Sequence, residues 1–214
     1  KKNKSGTLSD FHGTDFSEWK NLGIEVLLKA RVKSQFLTTK VSIEAFDTMR
    51  NRRILKVENA KITHSSYARL VRRVIDALQE YYTKLPGPFT KKIVFIGKKK
   101  KNSPNQVFTC NIDGSDLKQI TKSKYLKLSP AWGPDNKGII YTSYRNKNPD
   151  LYIKGLNSSK PKAISSYEGI NSGGIYDHIG KNIIYTGSSK NSVDLYYLNL
   201  KTGKRNRITF GKRN

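Results

Sequence analysis

The sequence predicts a small α+β domain over residues 1–88, followed by an all-β run of four-stranded antiparallel propeller blades over residues 89–214. Three observations carry this reading. Between residues 14 and 85 the apolar spacing passes from helical to alternating and back to helical, in the order α-β-β-β-α. Pro86-Gly87-Pro88 then stops the last helix and marks a domain boundary. Beyond it, a pattern of short strands and turns recurs every 44 residues, its units closing at Ile120-Thr121, Ile164-Ser165 and Ile208-Thr209.

In the first domain, Thr14 or Asp15 is placed to cap a short helix, with Glu18 three residues after Asp15 as in a capping box. Phe16, Trp19 and Leu22 are expected to face inward, and Gly23 ends the helix. Ile24, Val26, Leu28, Ala30 and Val32 alternate with more polar residues, the pattern of a half-buried strand. Val41, Ile43 and Ala45 repeat that pattern, and the polar stretch 47–53 reads as a hairpin loop. Leu55, Val57, Ala60 and Ile62 make a third strand. Ser65 or Ser66 caps a longer helix with the apolar stripe Leu70, Val71, Val74, Ile75, Leu78 and Tyr82.

In the second domain three segments align: Lys92-Ile93-Val94-Phe95-Ile96, Gly138-Ile139-Ile140-Tyr141-Thr142 and Asn182-Ile183-Ile184-Tyr185-Thr186. A second strand follows each, over Gln106–Asn111, Asp150–Gly155 and 194–199, and a turn then leads to a third. Units two and three are preceded by a further strand, at Leu128-Ser129-Pro130-Ala131-Trp132 and Gly173-Gly174-Ile175-Tyr176; unit one has none. Four short strands in about 40–50 residues is the signature of a propeller blade. The Ile-Ile-Tyr positions are expected to pack between blades, with Trp132 in the same core. Asp135-Asn136-Lys137-Gly138 reads as a tight turn in which Gly138 takes the left-handed conformation.

The chain has 214 residues, with 41 Lys+Arg against 16 Asp+Glu and a formal net charge of +25. At 36% hydrophobic and 10% aromatic residues it has material for packed cores, which excludes a disordered polycation. No apolar run reaches the roughly 18 residues a membrane helix needs. A single cysteine, Cys110, excludes an internal disulfide framework and a multi-cysteine zinc site. The basic residues are spread over both domains and densest at Lys98-Lys99-Lys100-Lys101. Such a field attracts polyanions. No zinc finger, RNP motif or GxxG loop accompanies it, so no specific nucleic-acid partner is expected and the charges read as solvated faces.

Catalytic signatures are missing as well. Gly187-Ser188-Ser189-Lys190 does not fit a G-x-S-x-G nucleophile elbow. His12, His64 and His178 stand apart from one another, and Cys110 has no histidine near it in sequence. Asp113, Asp135, Asp150, Asp177 and Asp194 recur at turns and strand starts, where aspartate shapes the backbone. No Walker loop, dinucleotide fingerprint or EF-hand occurs. The expectation is a protein that is not an enzyme and uses no cofactor and no metal.

The residues also carry a family resemblance. Ser129-Pro130-Ala131-Trp132-Gly133-Pro134-Asp135, Gly138-Ile139-Ile140-Tyr141-Thr142-Ser143 and Asp150-Leu151-Tyr152-Ile153 resemble the repeat of the TolB family, periplasmic propeller proteins of the bacterial Tol–Pal system. Glu18-Trp19-Lys20-Asn21-Leu22-Gly23-Ile24 is similar to the family's W-x-x-L-G stretch. The run 67–85 with Pro86-Gly87-Pro88-Phe89-Thr90-Lys91-Lys92-Ile93 is similar to its helix, linker and first propeller strand. There are departures. The third unit has neither the Pro nor the Trp of the repeat over 171–180, although Gly180 is kept. The family's propeller has six blades, of which this chain supplies about three, and the first part of the amino-terminal domain, with the segment that contacts TolA, is missing. The sequence is therefore expected to be part of a longer protein with about three more repeats and an upstream signal peptide.

The resemblance implies a periplasmic scaffold that binds the peptidoglycan-associated lipoprotein Pal and links it to the inner-membrane Tol proteins, supporting outer-membrane integrity and constriction at division. Propeller topology puts the loops 122–127, 144–148, 167–172 and 188–192 on one face. Tyr125, Lys127, Tyr144, Arg145, Tyr167, Glu168 and Asn171 are the partner-binding candidates there, tyrosine and arginine being enriched at interface hot spots. The alternatives are a propeller domain of a prolyl-oligopeptidase-like peptidase and a non-specific polyanion-binding propeller.

Overall fold

The computed structural model describes residues 16–63, 66–189 and 192–210. It divides into two compact units at the junction of Lys91 and Lys92. The proposed caps Thr14, Asp15 and Ser65 lie outside the described residues.

The first unit runs α1 (Ser17–Asn21), β1 (Val26–Gln35), β2 (Thr38–Asp47), β3 (Arg52–Ile62) and α2 (Tyr67–Thr83). The strands form an antiparallel meander with β2 in the middle, in register from Val26↔Asp47 to Gln35↔Thr38. Alternation along β2 buries Val41 and Ile43, and these pack with Leu55, Val57 and Ile62 of β3 against Leu70, Val74 and Leu78 of α2. The three-residue step from Val57 to Ala60 would turn half of β3 to the wrong face. A bulge between the pairs Val41↔Ala60 and Ile43↔Val57 restores the phase. Asn59 takes a left-handed φ of 48° at this bulge, and its N–H donates to Ser42 Oγ at 3.0 Å.

Four expectations are corrected here. Trp19 and Leu22 do not face inward: Leu22 is 71% exposed, and only Phe16 is half-buried, with its ring 5.5 Å from that of Phe46. Leu28 and Val32 are exposed because β1 is an edge strand and α2 packs over β2 and β3. For the same reason Val71, Ile75 and Tyr82 of the stripe are partly open. Ser66 stands at the N-cap, but its hydroxyl accepts from Thr63 N–H at 2.8 Å instead of capping the first turn. After Thr83 the helix ends at Lys84 in the left-handed conformation. The chain then turns back, and the Asp76 carboxylate accepts from Phe89 N–H at 2.7 Å and Thr90 N–H at 2.8 Å.

The second unit holds three consecutive antiparallel sheets. The first is β4 (Lys92–Gly97), β5 (Gln106–Asn111) and β6 (Lys118–Gln119). The second is β7 (Lys127–Trp132), β8 (Gly138–Ser143), β9 (Asp150–Gly155) and β10 (Lys162–Ser165). The third is β11 (Asn171–Tyr176), β12 (Asn182–Ser189), β13 (Ser192–Asn199) and β14 (Arg205–Arg207). These are the blades of a partial propeller, the first with three strands and the others with four. Each blade repeats one aromatic cross-strand pair, Phe95↔Phe108, Tyr141↔Tyr152 and Tyr185↔Tyr196. The ring centroids stand 5.9, 6.0 and 6.0 Å apart. The cores lie between blades. Val107 joins Ile139, Tyr141 and Tyr152, while Ile140 and Leu151 join Ile183, Tyr185, Tyr196 and Leu198. Trp132 packs against the first of these cores, and its Nε1–H donates to Lys92 O at 3.0 Å.

The innermost strands share an irregularity. The pairing of β7 shifts between Leu128 and Ala131, with Ser129 at φ 46°, and that of β11 shifts between Ser172 and Ile175, with Gly173 at φ 67°. The β7–β8 turn corrects another expectation. Asn136, not Gly138, takes the left-handed conformation, at φ 54°. Gly138 begins β8, where a side chain would press on Lys154 O at 3.2 Å.

Candidate partner-binding face

The β4–β5, β6–β7, β8–β9 and β10–β11 connections meet at one end of the blades, and hydrogen bonds tie them together. Gln106 Nε2 donates to Asn105 O, Ser123 O and Tyr125 O at 2.8, 2.9 and 3.1 Å. Tyr144 N–H donates to Leu126 O at 3.2 Å, and Asn171 N–H to Pro149 O at 2.9 Å. Asn148 Nδ2 reaches Tyr167 O at 3.0 Å. Beneath these loops a buried polar residue recurs at or near the start of β5, β9 and β13: Gln106, Asp150 and Asp194. Gln106 Oε1 accepts from Thr121 Oγ1 at 3.0 Å, and Asp194 Oδ1 from Thr209 Oγ1 at 3.2 Å. Asp150 accepts from Asn146 and Asn148 at 3.0 and 2.8 Å. The blades thus hold their own loops by side-chain hydrogen bonds, which keeps the end surface fixed.

The seven candidates occupy this end in different ways. Tyr144 and Tyr167 are 37% and 47% exposed, and Arg145 and Glu168 are exposed as well. Tyr125 is half-buried, and its ring lies 5.7 Å from the ammonium groups of Lys124 and Lys127. Lys127 opens β7 and is 4% exposed, its Nζ donating to Ser123 Oγ at 2.8 Å and Tyr125 O at 3.0 Å. Burial, helped by the charge of Arg145, lowers its pKa to about 8. Asn171 is fully buried: Oδ1 accepts from Ser165 Oγ at 2.7 Å, and Nδ2 donates to Tyr167 O at 2.6 Å. Its amide holds the loop that carries Tyr167 and Glu168. Ser188 and Ser192, counted as loop, lie in β12 and β13, and residues 190–191 are outside the described residues.

Two features escaped the sequence reading. Arg205 of β14 passes between aromatic rings, its guanidinium 4.3 Å from the Tyr167 centroid and 3.6 Å from that of Tyr196. Nothing in the local pattern Arg205-Asn206-Arg207 distinguishes it from a solvated edge. The second is a cavity of about 500 Å³ between the first and second blades, lined by Tyr125, Lys127, Arg145, Tyr141 and Tyr152 among others. Burial pushes Tyr141 up to about 12, and it raises Tyr152 too, so both phenols stay protonated at neutral pH.

Catalytic candidates gather nowhere in the described residues. Cys110 is buried in β5 and His178 is exposed, while His12 and His64 lie outside the described residues. No three His, Cys, Asp or Glu among the described residues group to hold a metal. No described helix is long and apolar enough to cross a membrane.

The family described as the TolB beta propeller domain matches residues 79–214. The chain belongs to that family. It is 32% identical over 165 residues to the Tol-Pal system protein TolB of Desulfosudis oleivorans, covering 77% of this chain and 36% of that protein. It is 27% identical over 161 residues to the protein of the same name from Alkalilimnicola ehrlichii, covering 74% and 37%. The chain therefore spans about a third of the length of these curated relatives. Among solved structures, TolB from Acinetobacter baumannii superposes with a TM-score of 0.80 at 24% identity, over 92% of this chain and 50% of that one. That likeness is one of fold.

Proposed function

We propose that the chain is part of a non-enzymatic scaffold of the Tol–Pal system in the periplasm. In this reading the loop end of the blades binds the lipoprotein Pal. The longer protein links Pal to the inner-membrane Tol proteins and supports outer-membrane integrity and constriction at division. The observation that carries the reading is family membership over residues 79–214, together with an end surface whose loops are locked by buried hydrogen bonds. A fixed surface of exposed tyrosine and arginine loses little conformational freedom on binding a protein partner. Tyr125, Tyr144, Arg145, Tyr167 and Glu168 are the proposed contacts, with Lys127 in the wall beneath them and Asn171 as the residue that fixes the Tyr167 loop.

The test is a titration of a Pal domain against the chain and a Tyr144→Ala, Arg145→Ala double variant. A loss of about 1–3 kcal/mol in binding is expected if either side chain is a hot spot. Unchanged affinity with an intact fold would remove this face from consideration. Hydrolysis of a peptide or ester, abolished by a serine-directed inhibitor, would favour the peptidase alternative.

A further inference from the structure

The inter-blade cavity has a composition that neither the family relationship nor the scaffold reading requires. Four cations line it, Lys122, Lys127, Arg145 and Lys154, and no aspartate or glutamate does. The remaining polar lining is uncharged: the amide of Gln119, the hydroxyls of Thr121, Ser123, Ser143 and Ser159, and the tyrosine phenols. Asp150, buried in β9, is not part of the wall, and its oxygens accept from Asn146 and Asn148. Among the described residues the Arg145 guanidinium makes no ion pair and no hydrogen bond. Two of the Lys127 ammonium protons are taken, by Ser123 Oγ and Tyr125 O, and the third has no acceptor there. The buried Lys127 ammonium carries a desolvation cost that the neighbouring, solvent-exposed Arg145 charge adds to, and an anion between them offsets both.

We propose that this cavity is a binding site for a carboxylate side chain of an acidic protein segment, held by Lys127 and Arg145. The inference rests on the scaffold reading, because it makes the cavity an anchor within the proposed partner-binding face. The surroundings favour a peptide over a nucleic acid. The run Lys98-Lys99-Lys100-Lys101 lies on the β4–β5 connection at the same end, with Lys124 and Lys147 on the neighbouring loops, so an acidic segment is attracted along the surface. The cavity itself is walled by blades one and two, and Tyr141 and Tyr152 pack in the inter-blade core instead of presenting faces for bases to stack on.

The experiment titrates fluorescein-labelled hexaglutamate, with hexaglutamine as control, into the full chain at about 0.15 M salt, read by anisotropy. Hexaglutamate is expected to bind and hexaglutamine not to. Lys127→Met and Arg145→Gln should each weaken binding about tenfold, Arg145→Lys should retain most of it, and Lys98, Lys99, Lys100 and Lys101 all changed to Gln should cost about threefold or less. Circular dichroism establishes that the variants are folded. A second readout is pH. Lys127 must be protonated to hold a carboxylate, so affinity should fall by up to about tenfold per unit above pH 8, and this fall should vanish in Lys127→Met. Burial raises Tyr141 and Tyr152 and lowers Lys127, which makes Lys127 the wall group that titrates in this range because of its burial. Equal losses in the cavity variants and the loop variant overturn the proposal, as does displacement of the peptide by duplex DNA with no sensitivity to Arg145. A Pal domain titrated in parallel separates the two readings. If the cavity variants leave peptide binding unchanged while the Pal domain still binds, the cavity proposal falls and the scaffold stands. If the peptide arm behaves as expected and the Pal domain does not bind, the cavity stands and the scaffold reading falls.

Discussion

Asp76 illustrates how much one side chain does at the end of α2. Partial burial opposes its ionisation, but hydrogen bonds from Thr90 and Phe89 outweigh this and hold its pKa below the ordinary carboxylate value. A depressed folded-state pKa means stability that is fully present above the unfolded value near 3.8 and is lost as pH falls through the folded value. Asp76→Asn should therefore destabilise the first unit by about 1–2 kcal/mol at pH 7, discounted for partial exposure. The gap to the unaltered chain should close as the medium is acidified toward pH 3. Urea denaturation at several pH values measures both. A gap that persists unchanged in acid would show that the charge plays no part. The sequence contains Pro86-Gly87-Pro88 as a visible stop, but not the carboxylate that receives the returning chain, since Asp76 lies 13 residues from Phe89. Residue-scale errors elsewhere have the same origin. Asn136 takes the left-handed position expected of Gly138, because asparagine tolerates it and Gly138 is needed where Lys154 O approaches.

At the scale of the element, strands were legible wherever both faces of the pattern had work to do. The Ile-Ile-Tyr segment of β8 packs on both sides, Ile139 and Tyr141 toward blade one and Ile140 toward blade three, while Ile183 and Tyr185 of β12 pack against blade two. The pattern in β1 was equally regular, yet Leu28 and Val32 are exposed, since alternation specifies a face and not what covers it. What the repeat concealed was its buried polar link. Thr121 Oγ1 accepts from Val107 N–H at 2.9 Å while donating to Gln106 Oε1 at 3.0 Å, joining the end of one strand to the start of another. Replacing the hydroxyl with a methyl keeps the shape and strands both partners. Thr121→Val should cost about 1–3 kcal/mol, measured as a drop in the urea midpoint with an unchanged m-value. A neutral effect would mean that water satisfies Gln106 in its place. The spacing of 121, 165 and 209 marks these positions in the sequence, but only the structure assigns them this role.

For the molecule as a whole the question is what a net charge of +25 is for. A chain with this charge will bind heparin or DNA in dilute buffer whatever its function, because releasing condensed counterions drives the association. That binding depends on the number of phosphates or sulfates neutralised, and so collapses steeply with salt. A protein partner held by a few tyrosines, one arginine and a carboxylate in a cavity is governed by packing and by a few desolvated contacts, which salt screens far less. The two modes therefore separate in one experiment. Between about 50 and 200 mM salt, affinity for duplex DNA should fall by about 10³-fold or more. Affinity for a Pal domain should fall by only about tenfold. Converting the four lysines at 98–101 to glutamine should flatten the DNA slope by up to about 3.6 and alter the Pal curve far less, because exposed lysines neutralise phosphates directly on DNA but only steer a protein partner held by other contacts. Parallel salt curves for the two ligands, shifted together by the lysine substitutions, would make the surface a general polyanion sink and remove the case for a dedicated protein partner.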